Sequence, residues 1–438
     1  MRFSRAVLTA VAVVALIGST LGAVAAAAPP AKAADVGITD KEIRLAVVAD
    51  VENPVVPGLF QSAVDGMRAW AKLVNKHGGI AGRKVAIDFI DSKLSPDEAR
   101  NATIKACSDD FAMVGGEALF LNNVDDVTEC PDANGKPVGM PDLPGLALDP
   151  TERCSPVTYI ASGDTAYCAT KDEHPQTYHS QRGEALYYLE KNKDLHGIFT
   201  VPSDLRSTKN SQQAYFEADV ASGIKKDGEG FIDTSARSPQ SAMTPIVQVI
   251  KDHDSNFVYN GNAPNIMVLL RREAKFQNAN SVKVWACNQG CYDAEFLKSG
   301  GADVDGTYSV LTTLPFYSEY KANPTLKALI KELGGVKNMN SNGMAAWTAA
   351  LLFQQAAEQA VADGGTLTRQ SLLDALKTIH DFDAKGLLGP TDVGNHQPPA
   401  CIVIVQVVNG KWVRKSPSKV GTFDCNKKNI LVHKLDLT

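Results

Sequence analysis

Signatures of catalysis are missing from this 438-residue chain. It contains no G-x-S-x-G, no H-E-x-x-H and no Walker A. The nearest approach to the last, Gly78-Gly79-Ile80-Ala81-Gly82-Arg83-Lys84, has no Ser or Thr after its lysine. His174 and His179 are five apart in a polar stretch read as a loop, so they do not share a helix face. Basic charge is also lacking: the formal net charge is −5, which argues against nucleic-acid binding. Beyond the first 25 or so residues no apolar run is long enough to cross a bilayer. No cysteine precedes Cys107, so no lipid anchor is expected after a leader.

What is present begins with an export signal. Arg2 and Arg5 precede an apolar run from Ala6 to about Val24, interrupted by Gly18, Ser19, Thr20 and Gly22, and Ala31-Lys32-Ala33 offers a cleavage site. Residues 1–34 therefore read as a signal peptide. Removing them takes away three basic residues (Arg2, Arg5, Lys32) and no acid, so the mature charge falls from −5 to −8. The protein is expected to be exported: periplasmic, associated with the cell wall, or secreted.

All eight cysteines lie beyond the signal: Cys107, Cys130, Cys154, Cys168, Cys287, Cys291, Cys401 and Cys425. An even count in an exported chain suggests disulfides, whose connectivity does not follow from sequence. Nearest-neighbour pairing (107–130, 154–168, 287–291, 401–425) is the simplest arrangement. A metal at Cys287 and Cys291 would need two more ligands, and no compact Cys/His set accompanies them. No metal or other cofactor is expected.

The mature chain alternates strand and helix. A helical apolar pattern (Leu59, Val64, Met67, Trp70, Ala71, Val74) stops at Gly78-Gly79, and a β-rich run, Val85–Asp91, follows. Ser95-Pro96-Asp97-Glu98 predicts a capped helix to Cys107, and Phe111–Gly116 a short buried strand. Residues 122–172 read as an irregular insertion. A second series follows: strands near 197–201, 231–234, 257–260, 282–286 and 307–311, with helices near 212–222, 241–250 and 269, and a long helix about 343–363. Such alternation implies an α/β protein with parallel sheets covered on both faces.

Several segments carry a specific resemblance. Asn75-Lys76-His77-Gly78-Gly79-Ile80-Ala81-Gly82-Arg83-Lys84-Val85 fits the pattern "N-x-x-GG-I-x-GRKV". Asn256–Gly261 with Leu269-Leu270-Arg271-Arg272-Glu273, Asp303–Tyr308, Gly386–Pro390 and Val405–Trp412 match further segments. The chain resembles the solute-binding proteins of branched-chain amino-acid type ABC transporters (Leu/Ile/Val-binding-protein-like). The resemblance implies two Rossmann-like three-layer αβα lobes joined by a three-crossover hinge, the type I periplasmic-binding-protein fold. Lobe 1 would hold 35–161 plus 315–391, and lobe 2 162–314 plus 392–438. The crossings would fall near Ala161–Gly163, Thr313–Pro315 and Asp392–Gly394. The same resemblance supports the 107–130 disulfide.

It also implies a ligand site between the lobes. Glu117, Leu119 and Phe120 stand where the family offers backbone amides and a hydroxyl to a ligand carboxylate; here the hydroxyl is missing. Ala147, Leu148 and Asp149 stand in a second loop of lobe 1. Asp204, Arg206, Asn262, Asn288, Gln289 and Tyr292 belong to loops of lobe 2. Gln289 takes the place of the acid that faces an amino acid's ammonium in relatives. A buried ammonium needs a carboxylate, and Gln offers none. Asp149, Glu117 or Asp204 could substitute; a neutral or amide-bearing solute, or a carboxylate held by Arg206, fits as well. Trp285, Tyr292, Phe120 and Tyr178 could supply an apolar wall.

The function implied is capture of a small polar solute (an amino acid or a related amide or carboxylate) and its delivery to an ABC permease by a monomer. Alternatives are a ligand sensor feeding a membrane signalling partner and, more remotely, an exported enzyme.

Overall fold

The computed structural model describes residues 35–53, 56–162, 167–168 and 175–437. The expected signal peptide, the hinge residue Gly163 and His174 lie outside them. The first part contains β1 (Glu42–Ala49), α1 (Gln61–Lys76), β2 (Lys84–Asp91), α2 (Pro96–Asp109), β3 (Ala112–Val114), α3 (Asp125–Thr128), β4 (Asp142–Leu143) and α4 (Pro150–Arg153). Its four strands form a parallel sheet in the order β2-β1-β3-β4. Then come β5 (Tyr167–Cys168), β6 (Gln176–Gln181), α5 (Gly183–Lys191), β7 (His196–Pro202), α6 (Arg206–Ser222), β8 (Lys225–Thr234), α7 (Met243–Asp252), β9 (Phe257–Asn260), α8 (Pro264–Phe276), β10 (Val284–Cys287), α9 (Ala294–Gly300) and β11 (Tyr308–Leu311).

The chain next returns to the first sheet. After α10 (Phe316–Glu319), helices α11 (Pro324–Glu332) and α12 (Ser341–Ala360) pack on α1, α13 (Arg369–Lys377) packs on α12, and α12 packs on β3 and β4. It then crosses back as β12 (Val403–Val408), β13 (Lys411–Ser416) and β14 (Ile430–Leu435). The second sheet runs β13-β12-β11-β10-β9-β7-β8, parallel from β8 to β11 and antiparallel through β12 and β13. A small antiparallel sheet, β14-β6-β5, lies beside α6.

The three-layer arrangement follows from side-chain alternation. Ile198, Val258, Trp285 and Cys287 share one core with Met243 and Ile246 of α7 and with Ile266 and Leu270 of α8. Their neighbours Phe199, Val201, Phe257, Tyr259, Val284 and Ala286 share another with Tyr188 of α5 and Tyr215 and Phe216 of α6. Successive residues of one strand thus feed opposite cores, which is why these strands read as continuous apolar runs. In the first lobe α1 and α12 cross at glycines: a Cβ on Gly66 would lie 2.7 Å from the Gly343 carbonyl oxygen.

Disulfides join Cys107 to Cys130, Cys287 to Cys291 and Cys401 to Cys425. Cys154 is also disulfide-bonded; the side chain of Cys168, its expected partner, lies outside the described residues. Beside the first bridge the buried Arg369 guanidinium donates to the carbonyls of Cys107 (2.8 Å), Asp110 (2.6 Å) and Phe111 (3.2 Å).

Local details depart from the sequence reading. Ser95 precedes α2, but its side chain makes no capping bond; Pro96, Asp97 and Glu98 fill the first turn. Helix α6 starts at Arg206, not near Gln212. Ser207, Thr208, Asn210 and Ser211 are weak helix formers, and packing of Ala214, Tyr215 and Phe216 holds them in register. β8 starts six residues early because edge pairing with β7 recruits the polar run Lys225–Gly230. His179 sits on β6 and not in a loop, with Nδ1 2.7 Å from Gln397 Oε1.

Candidate functional site

In both sheets the chain leaves the first parallel strand (β1 or β7) for a neighbour on one side (β2 or β8) and then returns to the other side (β3 or β9). Loops leaving the carboxyl ends at such a switch point diverge and open a crevice. Here the two crevices face each other across a cavity of about 530 Å³, large enough for a small-molecule ligand.

The wall from the first sheet is apolar. Val56 follows β1, Leu94 follows β2, Leu119 and Phe120 follow β3, and Leu146 and Leu148 follow β4. Leu59 and Phe60 complete it ahead of α1. Buried Asp50 braces this wall: Oδ1 accepts from Leu94 N (2.7 Å) and Ser92 Oγ (2.6 Å), and Oδ2 from Leu119 N (2.8 Å). Lys93 and Leu94 both have left-handed backbone, φ +51° and +54°. That geometry is uncommon outside glycine, and the bond from the Leu94 N–H to Asp50 holds it.

The facing wall is mixed. Pro202, Asp204 and Leu205 come from the end of β7, Ala236 and Arg237 from the loop after β8, and residues 261–264 from that after β9. Asn288, Gln289 and Gly290 follow β10. Asn262 Oδ1 accepts from Ala263 N (2.6 Å) and its Nδ2 donates to the Thr234 carbonyl. Asn288 Oδ1 accepts from Gly290 N (3.0 Å) and Nδ2 donates to the Asn262 carbonyl (3.2 Å). These two asparagines shape their loops, while the Cys287–Cys291 bridge closes the turn that presents Gln289. Helix α6 adds Thr208 and Gln212, one turn apart on one face, and on the side of the first sheet α12 contributes Asn342. Thr208 Oγ1 and Gln212 Oε1 are buried without a hydrogen-bond partner.

Two hydrogen bonds join the walls. Ser341 Oγ on α12 donates to the Gln289 carbonyl (2.8 Å), and Ser207 Oγ on α6 donates to the Leu119 carbonyl (3.4 Å). The cleft is therefore drawn together on two sides.

Of the residues expected from sequence, Leu119, Phe120, Leu148, Asp204, Asn262, Asn288 and Gln289 line the cavity. Five do not. Glu117 is fully buried behind the wall, near Gly145, and both its carboxyl oxygens lack a partner. Burial raises its pKa well above the usual carboxyl range, which disfavours the charge that an ammonium would need. Ala147 packs on Ile160. Asp149 Oδ1 accepts from Thr151 N (2.8 Å) and Oγ1 (2.6 Å). Arg206 opens α6 as an exposed residue. Tyr292 turns inward past the disulfide and is buried against Phe316, Tyr317 and Trp412. Among the proposed aromatic walls Phe120 reaches the cavity; Trp285 lies under the Arg271 guanidinium (4.9 Å) and Tyr178 is buried on β6.

Sequence reasoning missed Leu94, Thr208, Gln212, Arg237 and Asn342. A signal existed for one pair: Thr208 and Gln212 are polar residues at helical spacing directly after a strand that ends at the cleft. Among the described residues no cluster of three or more His, Cys, Asp or Glu could hold a metal ion, and no helix is long and apolar enough to cross a membrane.

The profile of a family described as "Periplasmic binding protein" matches residues 42–411. The chain belongs to that family. No curated protein matches this periplasmic binding protein as a sequence. Solved structures do match it as a fold. An ABC transporter substrate-binding protein from Aeropyrum pernix is 16% identical with a TM-score of 0.68, over 89% of this chain and 97% of the other. A fatty acid ABC transporter substrate-binding protein from Thermomonospora curvata is 18% identical with a TM-score of 0.66, over 89% and 97%. The leucine binding protein LivK from Thermotoga maritima MSB8 is 14% identical with a TM-score of 0.63, over 85% and 98%. At these identities they share the two-lobed fold with this chain.

Proposed function

We propose that this protein works outside the cytoplasmic membrane as a monomeric solute receptor that captures a small molecule between its lobes and delivers it to an ABC permease. The observation that carries this reading is the cavity enclosed by the carboxyl-terminal edges of both parallel sheets and spanned by the Ser341–Gln289 and Ser207–Leu119 hydrogen bonds. Lobe 1 comprises residues 35–161 and 315–391, and lobe 2 comprises 162–314 and 392–438. Hinge closure couples capture to shape: a solute that contacts both walls binds the closed form more tightly and shifts the population towards it. The closed shape is the signal that a permease reads. Disulfides suit an oxidising, extracytoplasmic setting, and ligands named for the fold's neighbours, a fatty acid and leucine, fit a transport role. No chemical step is assigned to the cleft.

The test is to denature the purified protein gently and identify any released small molecule by mass spectrometry, then to add it back in a thermal-shift assay. At about 100 times its dissociation constant a bound solute adds roughly 2.7 kcal/mol of stability. Absence of any released molecule, with no shift across a broad metabolite panel, would overturn solute capture.

A further inference from the structure

We propose that the solute is a monocarboxylate without an ammonium group. Its apolar body lies on the lobe 1 wall, and lobe 2 receives its carboxylate at the start of α6, at Gln212 Nε2 and at Arg237. This rests on the solute-capture reading and names the ligand class of the same cleft. It reverses the placement that the sequence resemblance implies, in which lobe 1 takes the carboxylate.

Lobe 1 offers a carboxylate little. Apart from Asn342 its lining is apolar, mostly leucine and phenylalanine, and area removed from water there favours a hydrocarbon body. The backbone amides of this wall are already used. Leu94 N and Leu119 N donate to the Asp50 carboxylate, Phe60 N to the Asp50 carbonyl (3.2 Å) and Gln61 N to the Gly58 carbonyl (3.1 Å).

Donors collect on the other side. Helix α6 starts at the cavity: Leu205, just before it, and Thr208, in its first turn, both line the space. No side chain caps this end and no acid lies in its first turn. Among the described residues the N–H groups of Arg206, Ser207 and Thr208 have no acceptor, so the positive end of the helix is unanswered. Gln212 is an independent sign of a ligand. It is 6% exposed, and its Oε1 lies buried against Gly261. Its amide Nε2, which also lacks a partner, is the end left open to the cavity. A donor left unpaired in a buried site is destabilising, and a carboxylate oxygen satisfies it.

Charge points the same way. Two charged side chains line the cavity, both exposed. Asp204 already accepts from Ser235 Oγ (2.6 Å) and Ala236 N (2.7 Å). The Arg237 guanidinium has no partner among the described residues, so the unanswered charge of the lining is positive. An ammonium would find no buried carboxylate there, and an unpaired ion drawn into a closed cleft is strongly disfavoured.

Calorimetric titration of the wild-type protein with C6–C10 straight-chain carboxylates, the matching primary amides, alcohols and amines, and the twenty amino acids tests this. Carboxylates should bind at least tenfold tighter than any of the others, with affinity rising about fourfold per added methylene, as burial of each CH₂ requires. Gln212→Leu should weaken carboxylate binding at least tenfold while keeping the same gain per methylene, and Arg237→Gln should reduce the preference for carboxylates over amides. If carboxylates bind and both variants leave their affinity at the wild-type value, the head lies elsewhere and the inference falls. It falls too, with solute capture intact, if amides, alcohols, amines or amino acids bind as tightly as carboxylates, or if the series fails and a metabolite of another class binds. If nothing binds from these series or from the metabolite panel, the capture reading itself fails, and this inference with it.

Discussion

Asp142 is a buried acid whose removal should flatten the protein's response to pH. It lies on β4, 3% exposed, with Thr158 Oγ1 donating to its Oδ2 at 2.9 Å. Desolvation raises its pKa from the ordinary 3.8 to about 7, against the smaller opposing effect of the Thr158 bond. The native state therefore holds this proton more tightly than the unfolded chain does. The resulting stability is fully present below pH 3.8 and is lost as pH rises through 7. Between pH 8 and pH 5 the excess proton binding spans roughly two pH units, and each unit corresponds to about 1.4 kcal/mol. Asp142 alone should make the protein about 3 kcal/mol more stable at pH 5 than at pH 8. Asp142→Asn keeps the volume and an acceptor for Thr158 but cannot ionise. Urea unfolding of both proteins at pH 5 and pH 8 gives the difference of differences, which cancels acids common to both, such as Glu117 and Asp219. Asp142 also raises the pKa of buried Glu152, so its removal reduces the slope further in the same direction. A gap between wild type and Asp142→Asn that stays the same at both pH values would refute the reasoning.

Other expectations concern the frame of the cleft. Asp50→Ala leaves two backbone N–H groups and a hydroxyl without their carboxylate; it should destabilise by roughly 3 kcal/mol and weaken whatever solute the wild type releases, both readable by thermal shift with and without that solute. Glu319 and Arg414 form a two-pronged pair, 2.6 and 2.8 Å, with side chains 2% and 6% exposed. Glu319→Ala should cost about 3–5 kcal/mol by stranding the guanidinium, and unchanged urea unfolding would contradict that. Gly66→Val should shift the α1–α12 crossing, because its Cβ would meet the Gly343 carbonyl; a lowered melting temperature is expected, and an unchanged one would mean the helices are free to separate.

Secondary structure was legible wherever a local signal was strong. The Gly78-Gly79 stop ends α1 at Lys76, with Gly78 and Gly79 at positive φ. Pro96 and the acids after it open α2. The signal failed where packing overrode propensity, at the polar first turns of α6 and the edge strand β8. In the cleft, position along a strand could be read but direction could not. Gln289 and Leu148 follow strand ends and reach the cavity, whereas Tyr292 and Ala147, as close in sequence, turn into the core.

By itself the sequence determined the alternation of strand and helix and the strand ends whose loops line the cavity, because each depends on neighbours along the chain. Tertiary structure alone decided which side chains enter the cleft. Leu94 arrives there through a left-handed turn held by Asp50, 44 residues away, and Ser341 reaches the Gln289 carbonyl from 52 residues away. Burial likewise removes Glu117 from the site and raises its pKa. Long-range contact and desolvation belong to the folded protein, and no local pattern encodes them.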